Sequence, residues 1–269
     1  MTMPNAQART EPPMEAPARP GAALVTGGTS GIGLATAIRL AARGHAVVIN
    51  GRNPERGAAA LARVRDACPG AEVRLVAADV SQPEGAQAAL EAAAGLGDGR
   101  LAVLVNAAGG DFVPRLLKDT DLAQIDGVVR HWMLSTLYCC RLALPLMATG
   151  GAIVNVASDA GKVPTPGEAV IGGAMAGIAM FSRTLAMEAK RNGIRVNVVT
   201  PSLVVDTQTH ARVTADGFSA RLFEKATAMA HLGLPEPDDV AALIAFLAGP
   251  EAARITAQVV SVNGGISAG

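Results

Sequence analysis

The sequence predicts an α/β domain: a doubly wound, seven-stranded parallel sheet with helices on both faces. Three observations lead there. From Ala22 onward, short β-branched runs alternate with longer stretches of helical period, the pattern of right-handed strand–helix–strand crossovers. Half of the 269 residues are hydrophobic and only 17% are charged, enough apolar surface for a sizeable core. No internal repeat and no shift in composition follows Pro20, so residues 21–269 read as a single domain.

In chain order, residues 1–20 hold many Pro and Ala and mixed charge without a long apolar run. They read as a disordered tail rather than a secretory leader. The β-branched runs place strands at Ala22–Thr26, Ala46–Asn50, Glu72–Ala77, Leu101–Asn106, Ala152–Ala157, Arg195–Thr200 and Val259–Val262. Helical period fills the intervals at Ile32–Arg43, Pro54–Ala67, Gln82–Leu96, Leu122–Leu144, Gly167–Asn192 and Pro237–Ala248. Aromatic residues make up only 3% of the chain, so Ala, Val, Leu and Ile must form the core, which suits close helix-on-sheet packing. Residues 206–235 break the alternation: polar and interrupted by Gly and Pro, they read as a lid over a substrate site.

Lys plus Arg equals Asp plus Glu, 23 each, so the net charge is zero and nothing points to nucleic acid or an anionic membrane as partner. No apolar run is long and charge-free enough to argue for a membrane span. The three cysteines, Cys68, Cys139 and Cys140, have no regular spacing and read as reduced residues of a cytoplasmic protein, with no metal site.

The most informative stretch is Thr26-Gly-Gly-Thr-Ser-Gly-Ile-Gly33, between the first strand and the first helix. Glycines here let the backbone approach a pyrophosphate, and the helix N-terminus supplies free N–H groups and partial positive charge. Gly27, Thr29, Ser30, Gly31, Ile32 and Gly33 are therefore candidate cofactor-binding residues. The second strand ends in Gly51, Arg52 and Asn53, where NAD enzymes carry an acid for the ribose 2′-hydroxyl. An arginine pairs instead with a 2′-phosphate in forked geometry, so NADP(H) is the expected cofactor. A solvated surface arginine is the bland alternative.

These residues, with others in order, resemble the short-chain dehydrogenase/reductase family, a Rossmann-fold family. Asp79 and Val80 resemble its adenine-contacting pair. Asn106-Ala-Ala-Gly109 resembles its Asn-Asn-Ala-Gly element, with Ala107 in place of the second Asn and Ala108 and Gly109 matching. Gly193-Ile-Arg-Val-Asn197 and Pro201, with Val204 beyond, resemble the sixth strand and the turn beside the nicotinamide; Val262-Asn-Gly-Gly265 resembles the closing strand. The resemblance runs from about Gly21 to Gly265. It implies a homo-oligomer, dimer or tetramer, pairing the long fourth and fifth helical stretches, and a small-molecule substrate.

The resemblance breaks at the catalytic positions. The family uses Asn, Ser, Tyr and Lys, in which Tyr protonates the substrate oxygen and Lys lowers its pKa. Ser158 falls on the Ser. Ile171 falls on the Tyr and Met175 on the Lys, and neither transfers protons. The Asn position falls on Trp132, with His131 beside it. Ser158 is thus the one retained candidate, either orienting substrate or holding the strand turn. His131 is a candidate proton donor or a packed residue, Trp132 a stacking surface or a filler, and Asp111 a substrate-side acid or a turn former. Lys162 and Glu168, in the loop after the fifth strand, read as solvated charge.

Three functions remain open on the sequence. One is an NADPH-dependent reductase of a C=C bond conjugated to a carbonyl. Another is a ketoreductase with a substitute or substrate-supplied proton. The last is a non-redox NADPH-binding or cyclase-like protein.

Overall fold

The computed structural model describes residues 21–268. The expected tail, residues 1–20, lies outside them. Among the described residues, seven parallel strands form one sheet: β1 (Ala22–Thr26), β2 (Val47–Gly51), β3 (Val73–Ala77), β4 (Leu101–Asn106), β5 (Met147–Val156), β6 (Arg195–Pro201) and β7 (Val259–Val262). Their order is β3-β2-β1-β4-β5-β6-β7, so the winding reverses between β1 and β4 and opens a crevice beyond their carboxyl ends.

Successive strand residues face opposite layers, and both layers are covered. Ala23, Val25, Val103 and Val154 pack under α1 (Gly31–Ala42), α2 (Pro54–Ala67) and α9 (Pro237–Ala248), through Leu40, Val64 and Ile244. Leu24, Leu104 and Ile153 pack on the other side under α3 (Pro83–Leu96), α5 (Ser135–Ala143) and α6 (Ala169–Ala189), through Leu90, Cys140 and Leu185. Fully buried β-branched and leucine side chains on both faces make up the core, as the low aromatic content requires. All three cysteines are free, and Cys139 and Cys140 are buried.

Two stretches depart from the sequence expectation. The helix expected at 122–144 is continuous but not uniform: α4 (Leu122–Val128) passes into α5 through a π-helical segment, Val129–Leu134. The wider turn frees backbone carbonyls, and side chains one turn on satisfy them. Ser135 Oγ donates to the His131 carbonyl at 2.7 Å and Thr136 Oγ1 to that of Trp132 at 2.8 Å. Hydrophobic period alone does not register such an inserted residue. Residues 206–235 contain two helices, α7 (Gln208–Ala215) and α8 (Gly217–Met229), capped by Thr207 and Asp216.

The helix at 169–192 is long and apolar enough to cross a membrane, contrary to the expectation that no segment is. In the fold it is the core helix α6 and its short extension, and Leu185, Ala186 and Ala189 are buried against the sheet.

Candidate active site

A cleft of about 550 Å³ lies over the carboxyl ends of the strands. One end is made by the β1–α1 turn. Gly27 has φ +65, and a Cβ there would stand 2.5 Å from the Ala107 carbonyl oxygen; at Gly33 it would stand 2.2 Å from that of Gly27. The turn therefore closes only with glycine. The N-cap Ser30 side chain makes no capping bond, which leaves the first-turn N–H groups of α1 open to an anion in the cleft. Thr29, Gly31 and Ile32 line the same wall, and Asp79, Val80, Ala108, Gly109, Pro201 and Val204 line its continuation.

Arg52 lies on the rim at the end of β2. Beside it, a Cβ at Gly51 would stand 2.6 Å from Thr29 Cγ2 and 2.8 Å from its Oγ1. A side chain at that position would require Thr29 to shift. Arg56, from the first turn of α2, also lines the cleft and donates to Gln208 Oε1 at 2.8 Å. Sequence reasoning missed Arg56; its place one helical turn beyond Arg52 was the available signal.

Two of the cofactor-binding residues expected from the sequence do not line this cleft. Asn53 caps α2, accepting from the Arg56 N–H at 2.7 Å. Asn106 is buried behind the strand ends, where its Nδ2 donates to Asn155 Oδ1 at 2.8 Å, and Asn155 donates in turn to Ser182. Strand alternation turns Asn106 inward, whereas its neighbours Ala107 and Ala108 reach the cleft through the backbone.

The other end of the cleft is built from side chains. Ser158 Oγ accepts from the Ala160 N–H at 3.2 Å, capping the short turn after β5, and keeps its own hydrogen free to donate. Both readings of this residue, turn holder and hydrogen-bond donor, are compatible with that geometry. Ile171 and Met175 line the cleft at only 9% and 4% exposure, and belong to an apolar cluster with Val128, Ala157 and Ile178. The π-helical segment brings both His131 and Trp132 to the cleft. His131 Nδ1 bonds the Gly127 carbonyl at 2.9 Å, and Phe112 packs edge-on against both rings. The Trp132 indole sits so close to Gly109 that a Cβ there would lie 2.5 Å from Nε1. The sole tyrosine of the chain, Tyr138, is not in the cleft; it packs against the core beneath the sheet.

Asp111 also lines the cleft, on its rim. It accepts from Arg212 at 2.6 Å and lies 3.7 Å from Arg52, tying α7 to the cleft rim. A second tie joins Arg115 to Asp216 at 2.7 Å, at the start of α8. The Arg115 guanidinium holds the Asp216 carboxyl far below its usual range.

Lys162 and Glu168 are not the solvated charges expected of them. Lys162 Nζ donates to Ser261 Oγ at 2.6 Å, and Ser261 donates to the buried Asp159 at 2.9 Å. Glu168 is half-buried and lines the cleft, and burial pushes its carboxyl up to about 7 against an opposing hydrogen bond with Thr165. Sequence reasoning passed over it because burial of a loop carboxyl depends on what the loop packs against.

Fold and site together define a class, a nucleotide-binding oxidoreductase of the doubly wound type. Residues 27–267 match the family described as enoyl-(acyl carrier protein) reductase. The 2,3-dihydroxy-2,3-dihydro-p-cumate dehydrogenase of Pseudomonas putida is 34% identical over 246 residues, covering 90% of this chain and 93% of that protein. Carbonyl reductase family member 4 of Danio rerio is 33% identical over 244 residues, covering 91% and 97%. A short-chain dehydrogenase from Burkholderia cenocepacia, solved in complex with NADP, superposes with a TM-score of 0.83 at 32% identity, covering 93% of this chain and 99% of that one. The chain belongs to the short-chain dehydrogenase/reductase family and is an oxidoreductase.

Proposed function

We propose that the protein is an NADPH-dependent reductase of a C=C bond conjugated to a carbonyl, as in an enone or enoyl thioester. The observation that carries this reading is the apolar wall of Ile171 and Met175 where the family places its proton-donating pair. Reduction of a ketone leaves an alkoxide, whose charge on one oxygen demands a tuned acid at that atom. Reduction of a conjugated alkene leaves an enolate, whose charge is delocalised. A single donor such as the Ser158 hydroxyl goes much further toward stabilising it. The family description, enoyl-(acyl carrier protein) reductase, supports the same reading.

The uncapped start of α1 would take the pyrophosphate, Asp79 and Val80 the adenine, and Arg52 and Arg56 the 2′-phosphate. When bound, NADPH supplies the hydride. Trp132, Ile171 and Met175 exclude water from the acceptor, and α7 and α8 act as a lid tied down by Arg212 and Arg115. The exposed Met180 and Met187, one heptad apart, lie on one face of α6, and this supports a homo-oligomer through that helix.

The relatives named for alcohol and carbonyl chemistry favour a second reading, ketone reduction with a substitute acid. Stereospecifically deuterated NADPH, offered with conjugated acceptors and ketones, separates the two. Label at the β-carbon of a saturated product is the expected result, and label at a carbinol carbon overturns it in favour of the second reading.

A further inference from the structure

Three features bring Glu168 to the reaction. It lines the cleft at the N-cap of α6. Its spacing to Ile171 and Met175, three and seven positions on, places all three on one face of the helix. The loop bearing it is fixed rather than free: the Arg115 N–H donates to the Gly167 carbonyl at 2.8 Å, and Gly172 N–H to that of Glu168 at 2.6 Å.

The carboxyl also lacks a counter-ion. Among the described residues no Lys, Arg or His forms an ion pair with it. Charged and titratable groups of the neighbouring loops and of the cleft make other contacts or stand on other walls. Arg115 is paired with Asp216, Lys162 with Ser261, and Asp159 with Ser261 and Ser267. His131 lies on the π-helical wall with one ring nitrogen bonded to Gly127, and Lys225 lines the lid side. A buried carboxyl without a counter-ion holds its proton more tightly than one in water, and burial pushes this one up to about 7 over the opposing hydrogen bond with Thr165.

We propose that Glu168 is the proton donor of this site, standing one helical turn before the position at which the family places its tyrosine. The inference rests on the reductase reading above. Hydride adds to the β-carbon of the acceptor, and the C=C electron pair moves into the carbonyl system. The Glu168 O–H bond then breaks as its proton passes to the α-carbon. The carboxylate left behind regains a proton from solvent water, so each turnover consumes one hydride and one proton. A neutral acid suits this task, because it approaches the enolate without charge repulsion and needs no neighbouring lysine.

Two measurements test it. Carboxyl 13C NMR of the cofactor-free protein should show one Glu resonance titrating near neutral pH that is missing in Glu168→Gln; titration of that resonance in the ordinary carboxylate range overturns the proposal. In steady-state kinetics, Glu168→Gln should lower kcat by on the order of 100-fold or more with KM little changed. It should also abolish the fall in rate as pH rises through neutrality, and Glu168→Asp should restore part of both. A Glu168→Gln protein with the rate and pH profile of the unmodified protein overturns the proposal while leaving the reductase reading intact. Absence of hydride transfer by the unmodified protein to any acceptor overturns the reading itself, and with it this role for the residue.

Discussion

At the dinucleotide end of the cleft, backbone makes the site. A glycine turn, open N–H groups at the start of α1 and a rim arginine would suffice to hold a phosphate-rich ligand, and they come from one contiguous stretch, β1 to α2. At the other end, side chains make the wall, and they come from separate places along the chain: Phe112 after β4, the π-helical segment, the turn after β5, the start of α6, and α7 and α8. The first end tolerates almost no change, because an added Cβ meets backbone within 2.2–2.5 Å at Gly33 and Gly27. The second end is lined by apolar residues, and Ile171 and Met175 there pack as core. A shared scaffold thus keeps a rigid binding half and leaves the reactive half free to vary.

The sharpest way to break this comparison is to return the reactive half to the family pattern. Met175→Lys buries an ammonium at a site 4% exposed with only apolar neighbours in its cluster, and should cost about 3 kcal/mol in thermal or urea denaturation. The double variant Ile171→Tyr/Met175→Lys should in consequence remain a poor ketone reductase. Efficient ketone turnover by it would show that the two positions, and not the pocket around them, decide the chemistry.

Ser158→Ala should lower kcat on the order of 100-fold by removing the hydroxyl donor, and loss of the cap to Ala160 should cost about 1 kcal/mol of stability. A loss of stability with kcat unchanged would reduce Ser158 to a turn holder.

At the binding end, Arg52→Ala should erase most of the preference for NADPH over NADH, on the order of tenfold in Kd by fluorescence titration, since a charge-assisted bond is worth about 1.5–3 kcal/mol. Residual preference would locate the rest of the discrimination at Arg56.

The smallest expected effect concerns pH and stability. The Glu168 carboxyl is raised in the folded state, from its ordinary 4.5 to about 7, so its stabilising contribution is full below 4.5 and lost as pH rises through 7. Relative to Glu168→Gln, the unmodified protein should therefore lose Tm across that interval. Parallel Tm curves would place the carboxyl in water.

The β1–α1 turn was legible in the sequence because its shape depends on local order along the chain: a strand, a glycine turn, a helix start. The alternation of β-branched runs and helical periods likewise carried the sheet, whose strands the structure moves by only a residue or so at most ends. β5 is the exception and begins earlier, at Met147. Asn106 was misplaced because motif resemblance does not say which way a strand residue faces; alternation turned it to Asn155.

The sequence by itself determined the layered α/β fold and the glycine turn between β1 and α1, since each follows from residue type and short-range spacing. Only the tertiary structure decided that a π-helical insertion carries both His131 and Trp132 to the cleft. It alone decided that Asp111 joins Arg212 of α7 to Arg52, and that the Glu168 carboxyl is partly buried. These depend on distant segments meeting: burial and pairing are set by what the fold brings alongside a residue, and neither is written in that residue's own neighbours along the chain.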